Sequence, residues 1–117
     1  MFGKEVRIIL SEEAKEVYRH LNKSSENSKT DRSILNAIKD KAELIRENPH
    51  YGNPMNKKLI PKEYSQKYDA KTLFRIELPN YWRMLYTLDE GENKIEIIAF
   101  VIEILDHKKY NKRFGYK

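Results

Sequence analysis

Arg75, Arg83 and His107 are the side chains of this sequence best suited to phosphate and proton chemistry. A guanidinium is always charged and can hold two oxygens of one anion, which suits it to phosphate. A histidine side chain titrates near neutrality and can give or take a proton. His107 is the one histidine in residues 105–117, where Lys108, Lys109, Tyr110, Lys112, Arg113, Phe114 and Tyr116 crowd together. Cations of this kind contact phosphates, and aromatic rings offer stacking surfaces to unpaired bases. The alternative is a basic terminus whose Phe114 and Tyr116 pack back onto the helices, with each cation simply solvated. If the segment is helical, His107 and Tyr110 lie on neighbouring faces; if extended, they point apart.

Other chemistries find little to work with. His20, His50 and His107 are scattered, and no His-x-x-x-His spacing suggests a metal site. No glycine-rich phosphate loop, no Ser/His/Asp arrangement and no glycosidase-like carboxylate pair can be picked out. Cysteine is absent, so neither disulfides nor thiolate-bound metal holds the fold together.

These residues need a scaffold. The 117 residues suit one domain, 1–117, large enough to bury roughly two-thirds of its unfolded surface. The first residues lack the apolar run of a signal peptide, and no segment approaches membrane-spanning length, so a soluble, cytoplasmic protein is expected. Net charge is +5, with the excess of lysine and arginine in the half after Met55. A one-sided basic surface suggests an anionic partner, nucleic acid first, although solvated lysines that aid solubility account for it equally well.

The organising stretch is residues 73–104. Leu-Phe-Arg-Ile-Glu-Leu from position 73 and Tyr-Trp-Arg-Met-Leu-Tyr-Thr-Leu from position 81 both alternate, as half-buried strands do. Residues 89–93 read as a turn, with Gly91 free to take positive φ. Residues 95–104 are apolar almost throughout and read as a central strand covered on both faces. The three make an antiparallel meander. Matching the apolar faces pairs Leu78 with Trp82, Ile76 with Met84 and Phe74 with Tyr86 around a loop of Pro79, Asn80 and Tyr81. The other face then carries Arg75 and Arg83, with Glu77 opposite Arg83.

Before the meander, residues 5–10 form a short strand with Val6, Ile8 and Leu10 in phase. Ser11 caps a first helix that runs to about Asn22, and residues 22–30 form an exposed connection. Asp31 caps a second helix with the stripe Ile34, Leu35, Ile38, Ala42 and Ile45, which Pro49 stops. The helix pair is expected to pack on one face of the sheet. Residues 49–72 are irregular, with residues 57–60 a short strand or merely extended. The fold class is α+β.

Strand, two helices, then a meander ending in a basic His/Tyr segment resembles the RelE/ParE toxin superfamily. The resemblance covers nearly the whole chain. It rests on Ala14 and Leu21, Asn48-Pro49 with Gly52, the two runs that begin at Leu73 and Tyr81, and Asp-His-Lys-Lys-Tyr from position 106. It implies a RelE/ParE-like fold and a RelE-like toxin of a type II toxin–antitoxin system. Such a protein is an endoribonuclease that cuts messenger RNA at the ribosome without a metal or cofactor, and is blocked by a cognate antitoxin. The ribose 2′-hydroxyl attacks the adjacent phosphate and leaves a cyclic phosphate. On this resemblance Arg83 holds the scissile phosphate, His107 is the acid/base and Tyr110 stacks on or orients the substrate. Arg75 is a second phosphate contact. Lys57 and Lys58 fall near lysines that precede the meander, and Lys108, Lys109, Lys112 and Arg113 would touch the RNA backbone. Two His107–Tyr110 spacer residues depart from the commoner pattern. A non-catalytic RelE-fold module that binds RNA, ribosome or protein, and a ParE-like gyrase inhibitor, are the rival readings.

Overall fold

The computed structural model describes residues 5–90 and 96–115. The elements run β1 (Glu5–Leu10), α1 (Glu12–Ser24), α2 (Lys29–Glu47), β2 (Asn53–Pro54), α3 (Lys62–Tyr68), β3 (Phe74–Leu78), β4 (Trp82–Glu90), β5 (Glu96–Leu105) and α4 (His107–Phe114). The sheet order is β1-β5-β4-β3-β2. β3, β4 and β5 form the expected antiparallel meander, but the sheet is mixed, because β1 pairs parallel to β5 along its free edge. No described helix is long and apolar enough to cross a membrane.

The first hairpin has the register that apolar matching requires: Leu78 faces Trp82, Ile76 faces Met84, Phe74 faces Tyr86, and Glu77 faces Arg83. The face bearing Phe74, Ile76, Leu78, Met84 and Tyr86 packs against Ala14, Leu21, Ile34, Leu35, Ile38 and Ile45 of the helix pair. A slip of one residue would send that set into water. Tyr86 is also tied by polar contacts, donating to the Pro49 carbonyl at 2.7 Å and accepting from Gly52 N–H at 2.9 Å. Gly52 sits so close that a Cβ there would stand 2.9 Å from the Tyr86 ring.

The opposite face holds a second core of Leu73, Leu85, Ile102 and Leu105, covered by Tyr64 of α3 and Tyr110 of α4. β5 is therefore covered on both faces, as its continuous apolar run implies. A bulge helps to build this layer. Leu85 pairs with Glu103 while Tyr86 pairs with Val101, which leaves Ile102 as the extra residue. Ile102 and Glu103 both serve the α3/α4 side as a result, and Glu103 meets Tyr64 and Arg113 there. Bulges re-aim side chains in this way. The bulge carbonyl is satisfied by the Ser11 hydroxyl at 2.6 Å, while Ser11 also caps α1.

Three local expectations change. Ser28, not Asp31, caps α2, accepting from Asp31 N–H, so the helix begins one turn earlier; the Asp31 carboxylate takes the Ser24 hydroxyl instead. α1 runs on to Ser24, which shortens the connection between the helices to residues 25–28. Lys57–Leu59 is a 3-10 turn started by the Asn56 side chain rather than a strand, and residues 62–68 form α3 within the stretch expected to be irregular. The Gly91 turn, Ile95 and Tyr116 lie outside the described residues. Asn48 takes an extended conformation before Pro49, ending α2 as expected.

Candidate functional site

The first hairpin turn and the start of α4 meet at one end of the sheet. Asp106 caps α4, accepting from Lys109 N–H at 2.8 Å. That cap launches the helix directly from β5 and turns Tyr110 inward and His107 outward. Tyr110 is buried, with its ring under the Arg83 guanidinium at 4.7 Å and beside the Phe114 ring at 4.7 Å. Arg75 Nη1 donates to the Tyr110 hydroxyl at 2.9 Å. One buried ring thus carries both sheet arginines.

Glu77 lies between the same two arginines. One carboxylate oxygen stands 3.1 Å from Arg75 Nε and the other 2.9 Å from Arg83 Nε. Both contacts are ion pairs rather than aligned hydrogen bonds. Arg83 is the most enclosed of the three side chains, 13% exposed against 32% for Arg75 and 51% for Glu77. Its Nη1 also donates to the Tyr81 carbonyl.

Tyr81 extends the group outward. Asn80 and Tyr81 both take left-handed backbone, φ 60° and 63°. Asparagine tolerates this; a tyrosine with positive φ is strained. The strained turn leaves the Tyr81 ring 71% exposed, 5.5 Å from the His107 ring. His107 Nε2 is 3.2 Å from Asn111 Nδ2, one turn along α4. Tyr81 is expected in the hairpin loop, but its pattern with Trp82 and Arg83 assigns it no chemical role. The signal was the Pro-Asn pair before it, which marks a turn whose next side chain is displayed.

Arg83, Tyr110 and Arg75 therefore come together directly, and His107 joins them through Tyr81. Lys108 and Lys109 are exposed on the first turn of α4, and Lys112 on its last. Lys57 and Lys58 are exposed in their 3-10 turn, with no side-chain hydrogen bond or ion pair to this group. Arg113 is differently placed. It binds Glu103 through Nε at 3.0 Å and Glu63 through Nη1 at 2.7 and 2.8 Å. Burial alone would lower its pKa, but the Glu103 and Glu63 carboxylates hold it above its ordinary value. Tyr64 donates to Glu103 in the same cluster, and burial with that neighbouring charge keeps its phenol well above the usual range. Arg113 anchors α4 to α3 and β5.

No model of a known protein family matches the chain, and no curated protein matches it. The chemistry of the site rests on its own geometry.

A cavity of about 250 Å³ lies at the same end on the helix-pair face of the sheet, lined by Val17, His20, Trp82, Ile104, Asp106 and Lys109 among others and by neither sheet arginine. His20, remote from His107 in sequence, is brought to this end of the fold by α1. Three larger cavities are present: about 340 Å³ between α2 and β1, about 360 Å³ around Tyr68, Lys71 and Phe100, and about 290 Å³ around Lys41, Tyr51, Arg75 and Glu77. The first two hold neither a histidine nor a sheet arginine, whereas Arg75 lines the third. Among the described residues, no three His, Asp or Glu side chains gather into a group that could hold a metal ion.

Proposed function

We propose that this chain is a RelE-like toxin, a metal-independent endoribonuclease that cuts messenger RNA at the ribosome and is held in check by an antitoxin. The observation that carries the reading is the linked set Arg75–Tyr110–Arg83–Tyr81–His107 at one end of the sheet. It combines the elements that 2′-hydroxyl attack needs. Cations neutralise the crowded phosphate, an exposed ring supports a base, and a titratable group moves a proton. Arg83 and Arg75 are the phosphate contacts, His107 the acid/base and Tyr81 the stacking surface. Exposed Lys108, Lys109 and Lys112 extend the cationic track along α4.

One observation favours the non-catalytic binding module instead. Tyr110 is buried, and its hydroxyl is engaged by Arg75, which suits a strut better than a proton carrier. On either reading Tyr110 positions the arginines.

Induced expression of wild type beside Arg83→Ala and His107→Ala decides between them, with growth recorded and 5′ ends mapped on a translated messenger. Growth arrest with new cuts in the reading frame, lost in both variants, is the expected result. Normal growth and an intact messenger at confirmed soluble expression would leave the binding module. Arrest with an intact messenger would point to gyrase.

A further inference from the structure

We infer that Arg75 and Arg83 form a seat for one phosphodiester group and that Glu77 is the seat's internal occupant, which nucleic acid must displace. The inference rests on the phosphate role proposed for Arg83, and adds a competitor to it.

The argument starts from how the carboxylate is held. Glu77 gives one oxygen to each arginine, 3.1 Å from Arg75 Nε and 2.9 Å from Arg83 Nε. A phosphodiester offers the same pattern: two charged oxygens on one central atom. Two guanidiniums that pair with one bridging carboxylate stand close enough together to pair with one bridging phosphate.

The arginines do not depend on Glu77 for their place. Arg83 is held by the Tyr81 carbonyl and stacked on Tyr110, and Arg75 is held by the Tyr110 hydroxyl. The seat therefore persists when the carboxylate leaves. Glu77, in contrast, is the exposed member, with half its side chain in water. Its backbone is fixed in β3 opposite Arg83, so only the side chain need rotate. Water reaches the carboxylate side of the pair and screens it, as a displaceable occupant requires. A single free phosphate competes poorly with a tethered carboxylate. A strand of RNA that also engages Tyr81 and the α4 lysines competes well.

The test uses a fluorescein-labelled single-stranded oligonucleotide with 2′-O-methyl riboses, which 2′-hydroxyl attack cannot cleave. Binding is read by fluorescence anisotropy for wild type, Glu77→Gln, Glu77→Ala, Arg83→Ala and the Glu77→Gln/Arg83→Ala double variant, with circular dichroism to confirm folding. Glu77→Gln is expected to bind about tenfold tighter, the gain for an occupant that closes the seat in about nine-tenths of molecules. The gain is expected to vanish in the double variant. Equal or weaker binding by both Glu77→Gln and Glu77→Ala would overturn the inference, because Glu77 would then be aligning the arginines. A gain that persists without Arg83 would overturn it too, as a mere change of net charge, and so would no binding by any of the proteins at low salt. Cleavage plays no part in this readout. A protein that never cuts RNA can still pass it, and one that cuts can still fail it.

Discussion

Replacing Tyr110 by phenylalanine separates a structural tyrosine from a catalytic one. The change removes the hydroxyl that accepts from Arg75 Nη1 at 2.9 Å and keeps the ring that carries Arg83 at 4.7 Å. Hydrogen bonds to charged groups contribute about 1.5–3 kcal/mol. Arg75 has a third of its side chain exposed and can turn to water, so a loss of about 1 kcal/mol is expected here. For a domain of this size that lowers Tm by about 4 °C. If the hydroxyl only positions Arg75, cleavage or RNA binding falls about fivefold, the same 1 kcal/mol read at the site. Tyr110→Ala removes a ring that is 2% exposed and should cost about 3–5 kcal/mol, much of the stability of a small domain. Thermal melts give the first quantity, and single-turnover cleavage on messenger-programmed ribosomes gives the second. A loss of about a hundredfold or more in Tyr110→Phe, at unchanged Tm, would refute this reasoning, since it is the size of effect a proton-transferring group produces.

Three further outcomes follow from the same contacts. Tyr81→Gly relieves a left-handed tyrosine at φ 63° and should raise Tm by about 4 °C, yet weaken single-stranded RNA binding about tenfold by removing a stacking ring; melts and anisotropy check the two halves. Tyr86→Phe strands the Pro49 carbonyl and the Gly52 N–H, both served by its buried hydroxyl, and should cost about 2–4 kcal/mol in urea unfolding with the slope unchanged. Hydrogen bonds from Lys67 and then Tyr68 lower the Glu13 carboxyl from an ordinary 4.5 to about 2 in the folded protein. The stability this gives is present above pH 4.5 and lost as pH falls toward 2, so Glu13→Gln should flatten the acid limb of the stability curve across that window.

How much of this was legible in the sequence depends on whether a feature is set by local pattern or by tertiary placement. The first hairpin was legible because period-two alternation and a Pro-Asn turn leave one register that buries both apolar sets. The helix pair was legible from its stripes, although the cap of α2 was not: Ser28 and Asp31 are both good capping residues, and the structure uses the earlier one. The parallel pairing of β1 was not legible, since nothing in residues 5–10 says which edge they will join. α3 was hidden because Pro61 and Asp69 bound a helix of only seven residues among lysines and tyrosines. In the site, Arg75, Arg83 and the Glu77 pairing came from register alone. The burial of Tyr110 and the capture of Arg113 by Glu63 and Glu103 depend on α3, which the sequence reading left irregular.

The bulge in β5 shows why that last part could not be read from alternation. Strict alternation would place Glu103 and Val101 on the same side, against the helix pair, and bury a carboxylate in the apolar core there. The extra residue at Ile102 turns Glu103 to the other layer, where Tyr64 and Arg113 satisfy it. Arg113 in turn fixes the last turn of α4, and Asp106 fixes the first. Tyr110 lies between those two anchors, pressed on Arg83 and joined to Arg75. A one-residue irregularity in the strand thus supplies the carboxylate that ties down the last turn of α4, the helix whose Tyr110 supports two guanidiniums. The cations of α4 divide by the same geometry: Lys108, Lys109 and Lys112 face water and remain open to a polyanion, while Arg113 is the tie that holds the helix carrying them.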